Sequence, residues 1–341
     1  MVTLITSSPN AAPGYSNWSA PVNLGPVVNS VFAEGGPAIS KDGLSLYFHS
    51  DRPGGEGSTD FWVSQRASEG APWGAPIHLG GVINTPSIEA VAALSRDEHW
   101  LFFASDRPGG FGSNDIWASY RQHTHDPFGW QPAVNLGADV NSAFNDGAPS
   151  YFANNDGGVP QLFFHSARPG GIGGTDIYVS ELFIGTFGPA SLVAELSSLG
   201  IEQHPSIRFD GLEIFFFSDR PVSVGGVDLW VATRRTVFDA WSPPTNLGPI
   251  VNSVFGDVQP YISSDRRTLF FQAARPGGFG SQDIWMTTRT KHQRGPRPGE
   301  HDGETSGSRG IFWSRLAGPR HFGSAGQVLT HLDHRKASDR R

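Results

Sequence analysis

Short apolar runs bounded by turn-forming residues recur along this chain. The five clearest are LYFH, LFFA, LFFH, IFFF and LFFQ, which begin at residues 46, 101, 162, 214 and 269. None of them continues into a sustained pattern with the 3.6-residue period of an amphipathic helix. Continuous apolar runs of this length between turns are typical of β-strands that are buried on both faces. The pattern therefore predicts an all-β protein.

Three further strand signals accompany each run. PVNLG or a variant of it opens the unit, a stretch such as GPAIS follows, and DFWVSQ or an equivalent closes the unit. Turns such as SKDGLS separate the second strand from the third, and their Asp and Gly suit the capped and positive-φ positions of a tight hairpin. Four antiparallel strands in each of five similar units predict a five-bladed β-propeller.

The phase of the repeats predicts how the ring closes. The first unit begins with WSAPVNLG at residues 18–25, and the last unit ends after DIWMTTR at residue 289, one strand short. We expect residues 18–25 to complete the fifth blade as its outermost strand, which leaves no open sheet edge at the seam. The propeller is thus predicted over residues 18–289, after a flexible leader at 1–17. A basic, disordered tail is predicted at 290–341.

A glycine-rich loop such as SDRPGGEGSTD, residues 50–60, occurs once in every unit. Its Arg is followed eight residues later by an Asp in all five copies. This constancy favours a structural corner, in which the Asp caps backbone N–H groups, the Arg pairs with that Asp or with a neighbouring blade, and glycines take special φ values. A ligand-binding loop would instead differ between blades, because a single ligand breaks the symmetry of the ring.

Composition and charge exclude several classes of protein. The 341 residues contain no Cys, so neither a disulfide framework nor a thiolate metal site is available. The formal net charge is −7, and residues 290–341 hold ten basic and five acidic residues. The body is therefore acidic, which argues against nucleic-acid binding. No apolar run reaches the length of a membrane span, the N-terminus does not read as an intact signal peptide, and we expect a monomer.

The motifs SDRPGG, DIW, NLG, VNS and DG resemble those of the WD40-like (PD40) repeats found in TolB-like propellers. The resemblance covers about four-fifths of the chain. It implies the propeller fold and a periplasmic or secreted setting in a bacterium, with a cytoplasmic setting left open. It does not select a function, since such propellers include both binding modules and enzymes.

A carboxylate stands at the same place in every unit, three residues before the Pro position of the innermost strand. The five are Glu34, Glu89, Asp146, Glu202 and Asp257. Because the innermost strands line the axis of a propeller, these acids are predicted to form a ring at one end of the channel. Close carboxylates raise one another's pKa unless a cation or hydrogen-bond donors stabilise them. Two interpretations remain open: structural capping, and binding of a metal or substrate.

Three histidines break the symmetry of the repeat. His49 and His165 end the third strand of their units, and His204 follows Glu202 by two residues. Topology places all three at the same end of the channel as the acid ring. Imidazoles with carboxylates such as Asp146 and Asp257 suit Zn²⁺, Mn²⁺ or Fe²⁺ better than Ca²⁺, which stays an alternative. The other interpretation is that each His only hydrogen-bonds a neighbouring carboxylate.

Three functions follow from these candidates. The leading hypothesis is a metal-binding propeller that hydrolyses esters, lactones or phosphate esters at the channel mouth, with Glu34, Glu89 and Glu202 as candidate catalytic acids and bases. The second is a non-catalytic binding or scaffold module of the bacterial envelope. The third is a glycosidase that uses two channel carboxylates. In each case the expected partner is a small molecule, saccharide or peptide at the central channel.

Overall fold

A computed structural model describes residues 14–155 and 157–292. Five antiparallel sheets are arranged so that their innermost strands contact one another in cyclic order. This arrangement confirms the predicted five-bladed β-propeller. A single turn of 3₁₀ helix at Ala194–Leu196 is the helical structure within the described ranges. No helix there has the length and apolarity needed to cross a membrane.

The strands are numbered in chain order, and the list begins with β1 (Val22–Asn23), which belongs to the last blade. Blade 1 consists of β2 (Glu34–Ile39), β3 (Ser45–Ser50), β4 (Asp60–Gln65) and β5 (Ile77–His78). Blade 2 consists of β6 (Glu89–Leu94), β7 (Trp100–Ser105), β8 (Asp115–Tyr120) and β9 (Val134–Asn135). Blade 3 consists of β10 (Asp146–Phe152), β11 (Gln161–Ser166), β12 (Asp176–Phe183), β13 (Thr186–Phe187) and β14 (Ser191–Leu192). Blade 4 consists of β15 (Glu202–Ile207), β16 (Glu213–Ser218), β17 (Asp228–Thr233) and β18 (Thr245–Asn246), and blade 5 of β19 (Asp257–Ile262), β20 (Thr268–Ala273), β21 (Asp283–Thr288) and β1.

The seam of the ring lies in blade 5, as the repeat phase predicted. Strand β1 pairs antiparallel with β21, with Val22 opposite Met286 and Asn23 opposite Trp285. Packing starts before residue 18, because Tyr15 is buried and lies 4.2 Å from the guanidinium of Arg289. The rest of the predicted leader, residues 1–13, and the predicted tail from residue 293 onward lie outside the described residues.

The hydrophobic core lies between neighbouring blades. The apolar runs that predicted strands form the middle of each sheet, and Phe48, Phe103, Phe164, Phe216 and Phe271 within them are fully buried. Phe103 of blade 2 packs edge to face on Phe61 of blade 1, with 5.6 Å between the ring centroids. Both faces of these strands are therefore covered, which is why the runs are continuous and do not alternate.

The glycine-rich loops are structural corners, and the closing Asp caps the turn as predicted. In blade 1, Asp60 accepts hydrogen bonds from the backbone N–H groups of Glu56 and Gly57, at 3.1 Å each. The predicted partner of the Arg was wrong. Arg52 pairs with neither the loop Asp nor a neighbouring blade, and instead binds Glu34 of its own blade. The sheet register explains this, because Glu34 is opposite Ser50, and the loop after Ser50 folds back onto it.

Candidate functional site

The ring of carboxylates begins the innermost strands β2, β6, β10, β15 and β19, and each side chain is completely buried. Each carboxylate forms an ion pair with the loop Arg of its own blade. The pairs are Glu34–Arg52 at 2.9 Å, Glu89–Arg107 at 2.9 Å, Asp146–Arg168 at 2.6 Å, Glu202–Arg220 at 2.9 Å, and Asp257–Arg275.

In blade 1, both oxygens of the ring carboxylate accept hydrogen bonds. Glu34 accepts hydrogen bonds from the backbone N–H and the hydroxyl of Ser30, at 2.7 and 2.6 Å. The Ser50 hydroxyl and Nη2 of Arg52 each donate to the same carboxylate at 2.9 Å. Nη2 of Arg52 also donates to the Val28 carbonyl at 2.6 Å. These contacts support the capping interpretation of the ring.

The predicted catalytic roles of Glu34, Glu89 and Glu202 therefore gain no support from geometry, because the ion pairs and hydroxyl bonds occupy their oxygens. Burial raises the pKa of Glu89, while its bonds to Thr85 and its ion pair with Arg107 act in the opposite direction. The same balance, with burial again the largest cause, raises the pKa of Asp257.

Two residues further along, every innermost strand contains a β-bulge, seen as a shift of register against its neighbour. The bulge residues have φ between 48° and 55°, and they are Gly36, Val91, Ala148, His204 and Gln259. This left-handed conformation is favourable for Gly but unfavourable for a residue with a β-branched side chain such as Val91. Bulges re-aim side chains near functional sites, and here they bring different residue types to the axis.

Contacts between the bulges show that they converge. The backbone N–H of Gly36 donates to Oε1 of Gln259 at 2.5 Å, and that of Val91 donates to Nδ1 of His49 at 3.3 Å. A Cβ added to Gly36 would lie 3.0 Å from Cα of Val91 and 2.6 Å from Nδ1 of His49. The bulge layer is thus tightly packed, and Gly at position 36 makes room for the His49 ring.

The three predicted histidines lie in this layer. The rings of His165 and His204 stack at 5.3 Å between centroids, and His204 also contacts Phe217 at 5.1 Å. Burial lowers the pKa of His49 and of His165 to about 4. Burial lowers the pKa of His204 well below its ordinary value, and the neighbouring His165 and His49 add to that effect. All three imidazoles are therefore neutral at pH 7.

Glutamines and an aromatic complete the group, which we call the axial cluster. It consists of His49, His165, His204, Phe217, Gln259 and Gln272. A side chain at Gly35 would collide with Oε1 of Gln272, so a larger residue here would require the amide of Gln272 to move. Nδ1 of His165, Nδ1 of His204 and Oε1 of Gln272 are buried and have no hydrogen-bond partner among the described residues.

The residues do not fit the predicted divalent metal. Within residues 14–155 and 157–292, no three His, Asp or Glu side chains are grouped so that they could hold a metal ion. The predicted ligands Asp146 and Asp257 instead bind Arg168 and Arg275. The imidazoles lie in the bulge layer, whereas the acids bind the Arg residues of the corner loops. Topology alone did not predict this separation.

Sequence reasoning did not select Phe217, Gln259 and Gln272 as site residues. Their signal was nevertheless present, because they occupy the same two positions of the repeat as His49, His165 and His204. These two positions vary from blade to blade, while the Arg and the closing Asp of the corner loops do not.

No protein-family model and no curated protein matches this chain. Solved structures do match. A thermostable family-43 glycoside hydrolase has a TM-score of 0.53 and 13% identity, over 80% of this chain and 98% of that one. An arabinanase of Bacillus subtilis has a TM-score of 0.53 and 16% identity, over 79% and 97% of the two chains. An α-L-arabinofuranosidase of Lactobacillus brevis has a TM-score of 0.53 and 11% identity, over 77% and 91%. At these identities the likeness establishes the fold alone.

A structure described as a putative TolB of Agrobacterium tumefaciens also matches, with a TM-score of 0.45 and 12% identity over 82% of this chain and 99% of that one. This likeness is too low to carry an argument. Membership of the WD40-like repeat family stays a prediction from the sequence motifs.

Proposed function

We propose that this protein is a non-catalytic binding module whose axial cluster recognises a small uncharged ligand, with a saccharide as the preferred class. The observation that carries the proposal is a set of buried polar atoms that have no hydrogen-bond partner in the part of the chain that the structure describes: Nδ1 of His165, Nδ1 of His204 and Oε1 of Gln272. Buried polar groups are costly unless they are hydrogen-bonded, so these atoms are suited to the hydroxyl groups of a ligand.

The chemistry of the cluster supports an uncharged ligand. Its imidazoles are neutral at pH 7, and its amides carry no charge, so the cluster offers donors and acceptors but no ion for a charged group. Phe217 adds an aromatic ring beside His204. His49, Gln259 and Gln272 are only half-buried, so the cluster borders accessible space. The repeat resemblance supports a setting in the bacterial envelope.

Glycosidase activity is the second candidate. The solved structures of similar fold include an arabinanase and an arabinofuranosidase, and burial raises the pKa of Glu89, as a general acid requires. Glycosidases need two carboxyl groups that can reach the scissile bond. The ion pair of each channel carboxylate with its Arg places this candidate behind a binding role.

Calorimetric titration with arabinose, xylose, glucose and their disaccharides tests the binding role. We expect at least one of them to bind, and we expect His165→Phe, which keeps a ring but removes both nitrogens, to weaken that binding at least tenfold. His123→Phe on an exposed loop is the matched control and should bind like the wild type. Equal binding by both variants, or no binding to the wild type, would refute the proposal.

An assay of the same protein with aryl arabinofuranosides and arabinan separates the two candidates. The binding role predicts no turnover. Turnover that persists in chelator and disappears in Glu89→Gln, with the fold retained, would establish the glycosidase instead.

A further inference from the structure

A separate cavity of about 610 Å³ lies at the opposite end of blade 4 from the corner loops. Its wall includes Leu212 before β16, Arg234 after β17, and the segment that contains Ala240 and Trp241. Strand β17 runs from the corner at Asp228 to Thr233, so the cavity and the axial cluster are at different ends of the blade. A ligand in this cavity would therefore be independent of the function proposed for the axial cluster.

The cavity is built around a feature that four blades share. In each, an Arg just after β4, β8, β17 or β21 stacks on the aromatic residue that precedes the outermost strand of the blade. The distances from the guanidinium carbon to the ring centroid are 4.4 Å for Arg66–Trp73, 4.4 Å for Arg121–Trp130, 4.2 Å for Arg234–Trp241 and 4.5 Å for Arg289–Trp18. The Nε of each Arg donates to a carbonyl of its blade's hairpin turn, at Gly43, Glu98, Gly211 and Arg266.

The terminal nitrogens distinguish Arg234 from its three equivalents. Arg66 donates from Nη1 to the Glu69 carbonyl at 2.5 Å, and Arg121 donates from Nη1 to the Tyr47 hydroxyl at 3.0 Å. Arg289 binds Glu213 through both terminal nitrogens. Arg234 forms no such bond with any described residue, and its Nη2 is buried without a partner.

The remaining charges of the wall are already paired. Arg208 binds Asp210 and Glu213, and Glu213 also binds Arg289. The exposed Arg235 lies 3.6 Å from Asp239. Arg234 is therefore the excess positive charge of this wall, and although burial lowers its pKa to about 10, it remains protonated at pH 7.

We propose that this cavity binds a small organic monocarboxylate, whose oxygens accept hydrogen bonds from the terminal nitrogens of Arg234. Guanidinium groups match carboxylates in geometry and charge. A single excess positive charge, with Glu213 and Asp239 in the same wall, favours a monoanion over a dianion such as phosphate. Leu212 and Ala240 offer apolar surface to the body of the ligand.

The full-length protein tests this by thermal unfolding in benzoate, acetate and phosphate, each against chloride at equal ionic strength. A ligand that binds only the native state raises the melting temperature. We expect a rise with benzoate, a smaller rise with acetate, and none with phosphate beyond that of chloride. Arg234→Met keeps much of the aliphatic stem and should abolish the rise with benzoate. Arg66→Met, in which the lost Nη1 bond is internal, should retain it.

A second variant keeps the test valid if Arg234→Met does not fold. Ala240→Glu places a carboxylate at an exposed position of the cavity wall and should weaken the benzoate effect at least tenfold in concentration, while the stability in chloride stays close to wild type. The proposal is overturned if benzoate has no effect on the wild type. Equal responses in Arg234→Met and Arg66→Met, or an unchanged response in Ala240→Glu, would equally overturn it.

Discussion

The first and third residues of the innermost strands stand two positions apart and differ in almost every respect. The first is a carboxylate in all five blades, fully buried and held by an Arg. The third is Gly, Val, Ala, His or Gln, always in a left-handed conformation. All five blades share the left-handed backbone conformation at the third position, just as they share the carboxylate at the first. At the third position only the side chain differs between blades.

This comparison separates the positions that build the ring from those of the candidate recognition surface. All five blades use the same pair of an innermost-strand carboxylate and a loop Arg, so loss of one pair disturbs the corner of that blade. The axial cluster draws its bulge residues from only two blades, His204 and Gln259, so the differences between the bulges decide which side chains a ligand on the axis would contact. Repetition in this chain therefore indicates structure, and departure from repetition indicates a candidate site.

The largest expected effect comes from breaking a corner. Glu202→Ala leaves the buried guanidinium of Arg220 without its carboxylate, and removal of one partner of a buried pair costs about 3–5 kcal/mol. Urea unfolding should show this loss. Glu195→Ala, at an exposed acid of the 3₁₀ turn that precedes this blade, should change the free energy of unfolding by less than about 0.5 kcal/mol. A loss of similar size in both variants would contradict the structural role of the corner.

The buried imidazoles of the bulge layer should make the free energy of unfolding depend on pH. The pKa of His165 is lowered to about 4 in the folded state, so the unfolded chain takes up its proton first as the pH falls below about 6.5. Stability is then lost between pH 6.5 and pH 4, by about 3 kcal/mol at most for one such imidazole. Carboxylates also titrate near the lower end, so the measurement is the difference between wild type and His165→Gln in urea unfolding at pH 7.5, 6 and 4.5.

His165→Gln should lose less stability than the wild type across that interval. His123→Gln, on an exposed loop, should follow the wild-type profile. A wild-type profile for His165→Gln would mean that this imidazole is not held neutral by burial.

A smaller effect concerns the left-handed backbone of the bulge. Gly36→Ala forces a Cβ into a conformation that costs about 1–2 kcal/mol, and that Cβ would also approach Nδ1 of His49 at 2.6 Å. Ala148→Gly at the equivalent position of blade 3 relieves the same conformation and should stabilise by up to about 1 kcal/mol. Opposite signs in thermal or urea unfolding are the expected result, and equal signs would argue against a shared bulge.

Much of the fold could be predicted because the same apolar runs and corner loops recur in the same order in all five units, which shows where each unit begins and ends. The apolar runs predicted the middle strands, and the unpaired PVNLG segment at residues 21–25 predicted the closing strand β1. The Asp caps of the corners followed from a constant spacing within one loop. The middle strands and the Asp caps follow from relations that are visible along a single unit, whereas the closing strand follows from a comparison of the first unit with the last.

The candidate site was only half predictable, for a physical reason. Sequence reasoning placed the acids and the histidines at the same end of the channel but took them for one layer. Their separation depends on the bulge between Gly35 and Ala38 and its four equivalents, which moves the third residue out of register with the first. A bulge whose residue is Val91 or Ala148, and not Gly, leaves no clear mark in a single sequence.

The pairing of β1 with β21 has a consequence for how the protein is made. Asn23 donates to Asp283 at 2.7 Å across 260 positions of the chain, so a segment synthesised before blade 1 can pair only after blade 5 has been made. Contacts of such long sequence separation slow folding. Between the synthesis of blade 5 and the pairing of β1, strand β21 has an unpaired outer edge. A newly made chain can pair with another copy at that edge.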